Sequence, residues 1–191
     1  MPLLHLLAGP NGSGKSSYVA DVLAPMTRLP FINTDEIAAA HWPDSAAQHA
    51  YEAAQLAEQL RRQHMADGAS FISETVFSHP SKVQLVADAS SADYLVHLHI
   101  VIVPVELTVQ RVRERVRRGG HEVPEQKIRD RYERLWGHLA EAIRIADVTE
   151  VLDNSSARAP FRLCASFERG RLASAPSWPT WAPPELVAAG R

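Results

Sequence analysis

Apolar runs and amphipathic stretches alternate along this chain, and the alternation predicts the fold. Leu3-Leu4 and Leu6-Leu7-Ala8 make a short apolar run suited to a buried strand. Residues 29–33 read as a second strand, ending at Thr34-Asp35-Glu36. From Ser45 to Asp67, Ala, Leu and Tyr recur at helical spacing until Gly68 stops the pattern. Residues 69–73 form a third strand that runs into Glu74. Pro80-Ser81 opens a helix carried by Val83, Leu85, Val86 and Ala89. The stretch from Tyr94 to Val103 is the strongest strand signal, and Pro104 breaks it.

Helices follow over about residues 105–118 and 125–146, joined by Gly119-Gly120-His121-Glu122-Val123-Pro124. Tyr132, Leu135, Trp136 and Leu139 keep helical spacing and belong to the core. Residues 148–152 make a fifth strand, and residues 161–167, with a turn at Gly170, add an edge strand or hairpin. Beyond Ser174, four prolines with Trp178 and Trp181 predict an irregular tail draped on the surface. Strands alternating with helices predict an α/β fold, with a mostly parallel five-stranded sheet and helices on both faces. Residues 1–174 form one domain with a helical lid over about 105–146, and 175–191 form the tail.

The segment after the first strand changes the picture from fold to function. Gly9-Pro10-Asn11-Gly12-Ser13-Gly14-Lys15-Ser16 fits G-x-x-x-x-G-K-[ST], between a strand and a helix as a phosphate loop requires. Glycines let successive backbone N–H groups turn toward phosphate oxygens, and the following helix aims its positive dipole end at the same place. Gly9 to Ser17 are therefore the expected ATP-binding residues. Lys15 reaches the transferring phosphate, and the Ser16 hydroxyl joins a Mg²⁺ shell.

Ligands of such sheets sit beyond the carboxyl ends of the strands, so Asp35, Glu74 and the loop share one rim. Asp35 is the candidate general base for an acceptor hydroxyl, and equally a helix N-cap. Glu74 and Thr75 suit acceptor binding or loop capping; Asp35 and Glu74 are further candidates for the metal shell. Ser78, His79, Ser81 and Lys82 lie beyond them.

Charge and composition narrow the class. The chain has 191 residues, 46% hydrophobic and 22% charged, with a net charge of −2, which offers no global attraction to nucleic acid or an anionic membrane. Its single cysteine, Cys164, excludes an internal disulfide framework. Without a basic leader or a membrane-length apolar stretch, a cytoplasmic protein is expected. The cations are unevenly spread: Arg111, Arg113, Arg115, Arg117, Arg118, Lys127, Arg129, Arg131 and Arg134 crowd around Gly119-Gly120. Two basic helices on a glycine joint read as a lid that closes arginines, Arg111 and Arg118 among them, over triphosphate. A solvated face paired with neighbouring acids is the plainer reading. The lack of interleaved aromatics argues against a nucleic-acid groove. His121 reads as a phosphate or acceptor contact, or as a structural histidine. The nine histidines show no H-E-x-x-H spacing, so no zinc is expected.

Several of these stretches together resemble the zeta toxin family of P-loop kinases. They are Ala8 to Ser16, Phe31 to Ile37, Ser73 to Lys82, Arg111 through Glu125, Ile128 with Arg131-Tyr132, and Asp153-Asn154-Ser155. The resemblance implies a nucleoside-kinase-like fold and ATP- and Mg²⁺-dependent phosphorylation of a small-molecule hydroxyl, in the best-known members on a UDP-N-acetyl amino sugar. It places Asp35 at the general base, Lys15 at the loop lysine, Arg111 at a lid arginine, and Glu74 and Thr75 at the acceptor-binding strand end; Asp35, Glu36, His79 and His121 are further candidates for the acceptor site. An antitoxin partner follows from the family alone. The loop after Glu74 and the Arg-Gly-Gly-His turn differ from toxins acting on nucleotide sugars, which leaves the acceptor open. A polynucleotide kinase and a non-catalytic ATP-binding module are the competing readings.

Overall fold

β1 (Leu3–Ala8) holds the middle of the sheet, which suits a strand in which all but the first residue is buried. The protein is described by a computed structural model covering residues 1–117 and 123–190. Around β1 lie β2 (Phe31–Ile32), β3 (Phe71–Thr75), β4 (Leu95–Ile102) and β5 (Val148–Asp153). The order is β2-β3-β1-β4-β5, with every neighbour parallel. The five parallel strands are those the sequence predicts. The sheet then continues through an antiparallel pair, β6 (Arg162–Glu168) and β7 (Arg171–Leu172), making seven strands in all.

β2 is shorter than its apolar run because Pro30 can offer only a carbonyl, which accepts from Ile72 N at 2.9 Å. β3 starts two residues later than expected and carries Glu74 and Thr75 as its last residues, beside Leu7 and Ala8.

The two faces of the sheet are covered differently. α5 (Ser81–Ser91) and α7 (Glu125–Ile145) cover one face, over a core of Leu4, Leu6, Phe71, Val96, Leu98, Ile100, Leu135, Leu139 and Ile143. On the other face, α1 (Lys15–Tyr18) passes through a π-helical turn at Val19–Leu23 into α2 (Ala24–Thr27). That segment packs Tyr18, Val19 and Leu23 on Leu7, Ile72, Val101 and Leu152. α3 (Thr34–His41) and α4 (Ala50–Ala66) pair beside the carboxyl rim, and α6 (Val105–Arg117) joins α7 through Val109, Val112 and Ile128.

The tail is more ordered than its prolines suggest. α8 (Pro184–Ala188) buries Leu186 completely, and Trp178 and Trp181 pack on the main core. No described helix is long and apolar enough to cross a membrane.

Candidate active site

The phosphate loop is built by close approach. Gly9 has φ 144°, and a Cβ there would collide with the carbonyl of Val101 on β4. Gly14, at φ 99°, is the N-cap of α1; a Cβ there would run into Nδ2 of Asn154. That amide instead donates to the Ser13 carbonyl at 2.8 Å, and Arg111 donates to the carbonyls of Asn154 (2.9 Å) and Gly12 (3.3 Å). Arg111 therefore braces the outer side of the loop from α6. Ser13 is fully buried, and its hydroxyl has no partner among the described residues.

Lys15 lies in the loop with 4% of its side chain exposed. Its ammonium donates to the carbonyls of Gly9 (3.1 Å) and Pro10 (2.9 Å) and lies 3.7 Å from Glu74 Oε1. Burial lowers its pKa, and the neighbouring Glu74 and Asp35 carboxylates pull the other way. Glu74 also accepts from Ser16 Oγ at 2.7 Å and from Asn33 Nδ2 at 2.9 Å. One carboxylate at the end of β3 thus links the loop lysine, the loop serine and the end of β2.

Asn33 corrects one expectation. The side chain that caps α3 is Asn33, accepting from the N–H groups of Asp35 (2.7 Å) and Glu36 (3.3 Å). An asparagine can do this while its amide holds Glu74, and Asp35 is left in the first turn with its carboxylate toward the cleft. Arg115 of α6 approaches that carboxylate at 3.8 Å.

The loop, the strand rim and residues of α4, α6 and α7 line a cleft of about 1590 Å³. Asn11, Gly12, Gly14, Lys15, Ser16 and Ser17 line its nucleotide end, with Asp35, Glu74, Thr75 and Arg111; Gly9, Pro10 and Ser13 stand behind the lining. His79 lines the far end, donating to or accepting from Ser81 Oγ at 2.9 Å. Glu36 is not among the lining residues. Arg118, His121 and the Gly119-Gly120 joint lie outside the described residues.

The far end adds Arg61 and Arg62, which the sequence does not single out, to Lys82, Lys127 and Arg131, which it does. Arg61, on α4, is 6% exposed and shares the cleft wall with Arg62, Lys82, Lys127 and Arg131. Burial lowers the pKa of Arg61, with Glu58 as its acidic neighbour; burial, then the charge of Arg61, lowers that of Lys82. Ala53, Ala57 and Arg61 succeed one another every four residues on the buried stripe of α4. An arginine continuing an apolar stripe was the available signal. Asn154, just beyond β5, sits on the same rim as Asp35 and Glu74, within the Asp153-Asn154-Ser155 stretch noted in the sequence.

The cations of α6 and α7 divide into two sets. Arg111, Arg115, Lys127 and Arg131 face the cleft. Arg129 instead makes a bidentate pair with Glu106 (2.8 and 2.9 Å) and meets Glu125, which also pairs with Arg113. The solvated-face reading holds for that second set.

A parallel sheet with the phosphate loop at its carboxyl rim and an arginine-bearing helical pair above it is the architecture of P-loop kinases. The sequence model of the Zeta toxin family matches residues 1–159, and the chain belongs to that family. Among curated proteins, none matches it significantly by sequence. The fold is similar to the AvrRxo1-ORF1:AvrRxo1-ORF2 structure with sulphate ions (TM-score 0.71, 16% identity, 91% of this chain and 60% of that one). It is also similar to the PezAT chromosomal toxin-antitoxin system of Streptococcus pneumoniae (0.61, 15%, 80% and 68%). Shikimate kinase from Acinetobacter baumannii in complex with shikimate shares the fold too (0.55, 17%, 82% and 86%). The chain thus spans about 60% of the length of the AvrRxo1 chain it matches.

Proposed function

We propose that this protein is an ATP-dependent kinase that phosphorylates a hydroxyl of a small anionic acceptor, a UDP-N-acetyl amino sugar being the first candidate. The observation that carries this reading is the interlock of Lys15, Ser16 and Glu74 beside Asp35 in one cleft. Membership of the Zeta toxin family and the ATP-containing AvrRxo1 structure (TM-score 0.60, 15% identity) support the nucleotide. The antitoxins named in the related structures support a protein partner of the same kind.

The donor set suits magnesium: Ser16 Oγ and Glu74 Oε2, 2.7 Å apart, are hard oxygen ligands at the phosphate end of the cleft, with Asp35 within the same lining. Magnesium, when bound, neutralises charge on the phosphate oxygens. Lys15 exchanges the carbonyls of Gly9 and Pro10 for phosphate oxygens and stabilises charge on the transferring group. Asp35 accepts the acceptor's hydroxyl proton as the new O–P bond forms and the bond to ADP breaks. Arg115 holds Asp35 and brings a second cation to the same place. At the far end, Arg61 and Lys82 favour an acceptor that brings negative charge, because a buried and a half-buried cation share one acidic neighbour, Glu58.

The test uses Mg·ATP with a pooled metabolite extract containing UDP-N-acetylglucosamine, read by mass spectrometry for a species gaining one phosphate. Wild-type protein is expected to phosphorylate an anionic metabolite. Asp35→Asn is expected to lose transfer by about 10²- to 10⁴-fold while retaining ATP binding. A neutral acceptor would remove the role given to Arg61 and Lys82, and no transfer with tight ATP binding would leave a non-catalytic nucleotide module.

A further inference from the structure

β1, β4 and β5, covered on both faces, should read as apolar throughout, and they do so except at a few positions. Besides Thr149 and the strand-end Asp153 of β5, the exceptions are His5 in β1, His97 and His99 in β4, and Glu150 in β5. Parallel register makes these interruptions neighbours: His5 pairs with His97, and His99 with Glu150. They share the sheet face of Leu7, Val101 and Leu152 but sit toward the amino ends of the strands. The nucleotide cleft lies at the opposite ends, and none of the four lines it.

The side chains converge. His97 and His99 stack with ring centroids 3.9 Å apart, and His5 lies 5.3 and 5.2 Å from them. His5 Nδ1 is 2.9 Å from His99 Nε2, and His97 Nε2 is 3.1 Å from Glu150 Oε2. His99 Nδ1 lies 3.2 Å from that same oxygen, without a hydrogen bond formed. His5 and His99 are 6% and 1% exposed, and His5 Nε2 has no partner among the described residues. Such a cluster is costly to bury unless something takes up its lone pairs.

We propose that His5, His97 and His99, with Glu150 at the fourth position, form a binding site for a divalent transition-metal ion of the zinc class. One ring nitrogen from each histidine can be chosen so that all three lie within 4.8 Å of one another. A tetrahedral ion with ligands at about 2.0–2.1 Å needs them only moderately closer. The adjustment falls to His97 and Glu150, whose side chains are 23% and 31% exposed and which also give the ion a way in. Imidazole with one carboxylate suits zinc and its first-row neighbours rather than magnesium. Ligation requires free lone pairs, and the deep burial of His5 and His99 favours the neutral ring that carries one. The H-E-x-x-H spacing sought in the sequence belongs to helices. On a strand the matching spacing is His97-x-His99, which sets both rings on one face.

The test strips the 191-residue protein with a chelator and titrates it, without nucleotide, with Zn²⁺ by calorimetry and with Co²⁺ by visible absorption. One ion per chain, a tetrahedral Co²⁺ spectrum and a melting temperature raised by Zn²⁺ are expected. His97→Ala, at a partly exposed position, should weaken binding at least about 10- to 100-fold with the fold intact by circular dichroism. Ser16→Ala and Lys15→Met should bind the ion as wild type does. The proposal is overturned if no ion is retained, if His97→Ala binds unchanged, or if Ser16→Ala abolishes binding and so locates the ion in the cleft.

Discussion

The two ends of the cleft are built by opposite strategies. At the nucleotide end most polar groups are already engaged, the Ser13 hydroxyl excepted: Lys15 with two carbonyls and Glu74, Ser16 with Glu74, Asn154 with Ser13, and Arg111 with Gly12 and Asn154. At the far end Arg61, Lys82, Lys127 and Arg131 line the cleft wall, with Glu58 as the acidic neighbour of Arg61 and Lys82. The first arrangement fixes geometry before any ligand arrives, as electrostatic preorganisation requires. The second leaves positive charge that Glu58 alone balances in part, which suits an incoming anion. If, as proposed, chemistry resides in the satisfied end and selectivity in the unsatisfied one, substitutions at the two ends should fail in different ways.

The largest effect is expected from Lys15→Met, which keeps volume but removes the buried charge. Phosphoryl transfer should fall by about 10²- to 10³-fold in kcat, read by ADP release, with a near-wild-type melting curve. Equal loss of stability and activity would instead make Lys15 a structural ion. Next, Arg61→Met should raise the acceptor KM by roughly 10- to 100-fold, as loss of a charge-assisted contact does, and leave the ATP KM unchanged. A shift in the ATP KM would dissolve the division between the two ends. Arg115→Gln concerns an exposed pair, 43% and 87% open, and should cost under about 10-fold, in kcat rather than KM. The smallest effect belongs to Arg129→Ala. Its ring of acids lies outside the cleft, and activity should change less than about two-fold. A large loss there would mean that the outer face of the lid acts on the site.

The satisfied end was the legible one. Glycines at fixed offsets between a strand and a helix, and acids just after strands, are local signals that survive without coordinates, and they located Gly9 to Ser17, Asp35 and Glu74. The unsatisfied end was half legible: Arg61 announced itself only as a break in an alanine stripe, and its neighbour Lys82 comes from a different helix. The histidine cluster was hidden for a stricter reason. His5 and His97 are 92 residues apart in sequence and meet only through β1–β4 register, which no single strand encodes. Asn33 was overlooked because Asp35 and Asn33 are both good caps, and the choice depended on which one Glu74 needed as a donor. The short α8 was unreadable among prolines because its reason for existing is one buried leucine.

That leucine bears on where this protein can be cut. The family match stops at residue 159, and every residue assigned to the nucleotide cleft precedes it. The main core does not stop there: Cys164, Ala165, Phe167, Leu186 and Ala189 join Leu139, Ala142, Ile143 and Val151, with Leu172, Trp178 and Trp181 packed against them. The Ser177 amide fastens the returning segment to the Cys164 carbonyl at 2.7 Å. A fragment trimmed to the family boundary would carry a complete set of catalytic groups on an open-sided body, with the flank of α7 and the edge of β5 stripped bare. Such a fragment is expected to be sticky and short-lived rather than inactive by chemistry. The recognisable unit and the foldable unit of this chain therefore have different ends.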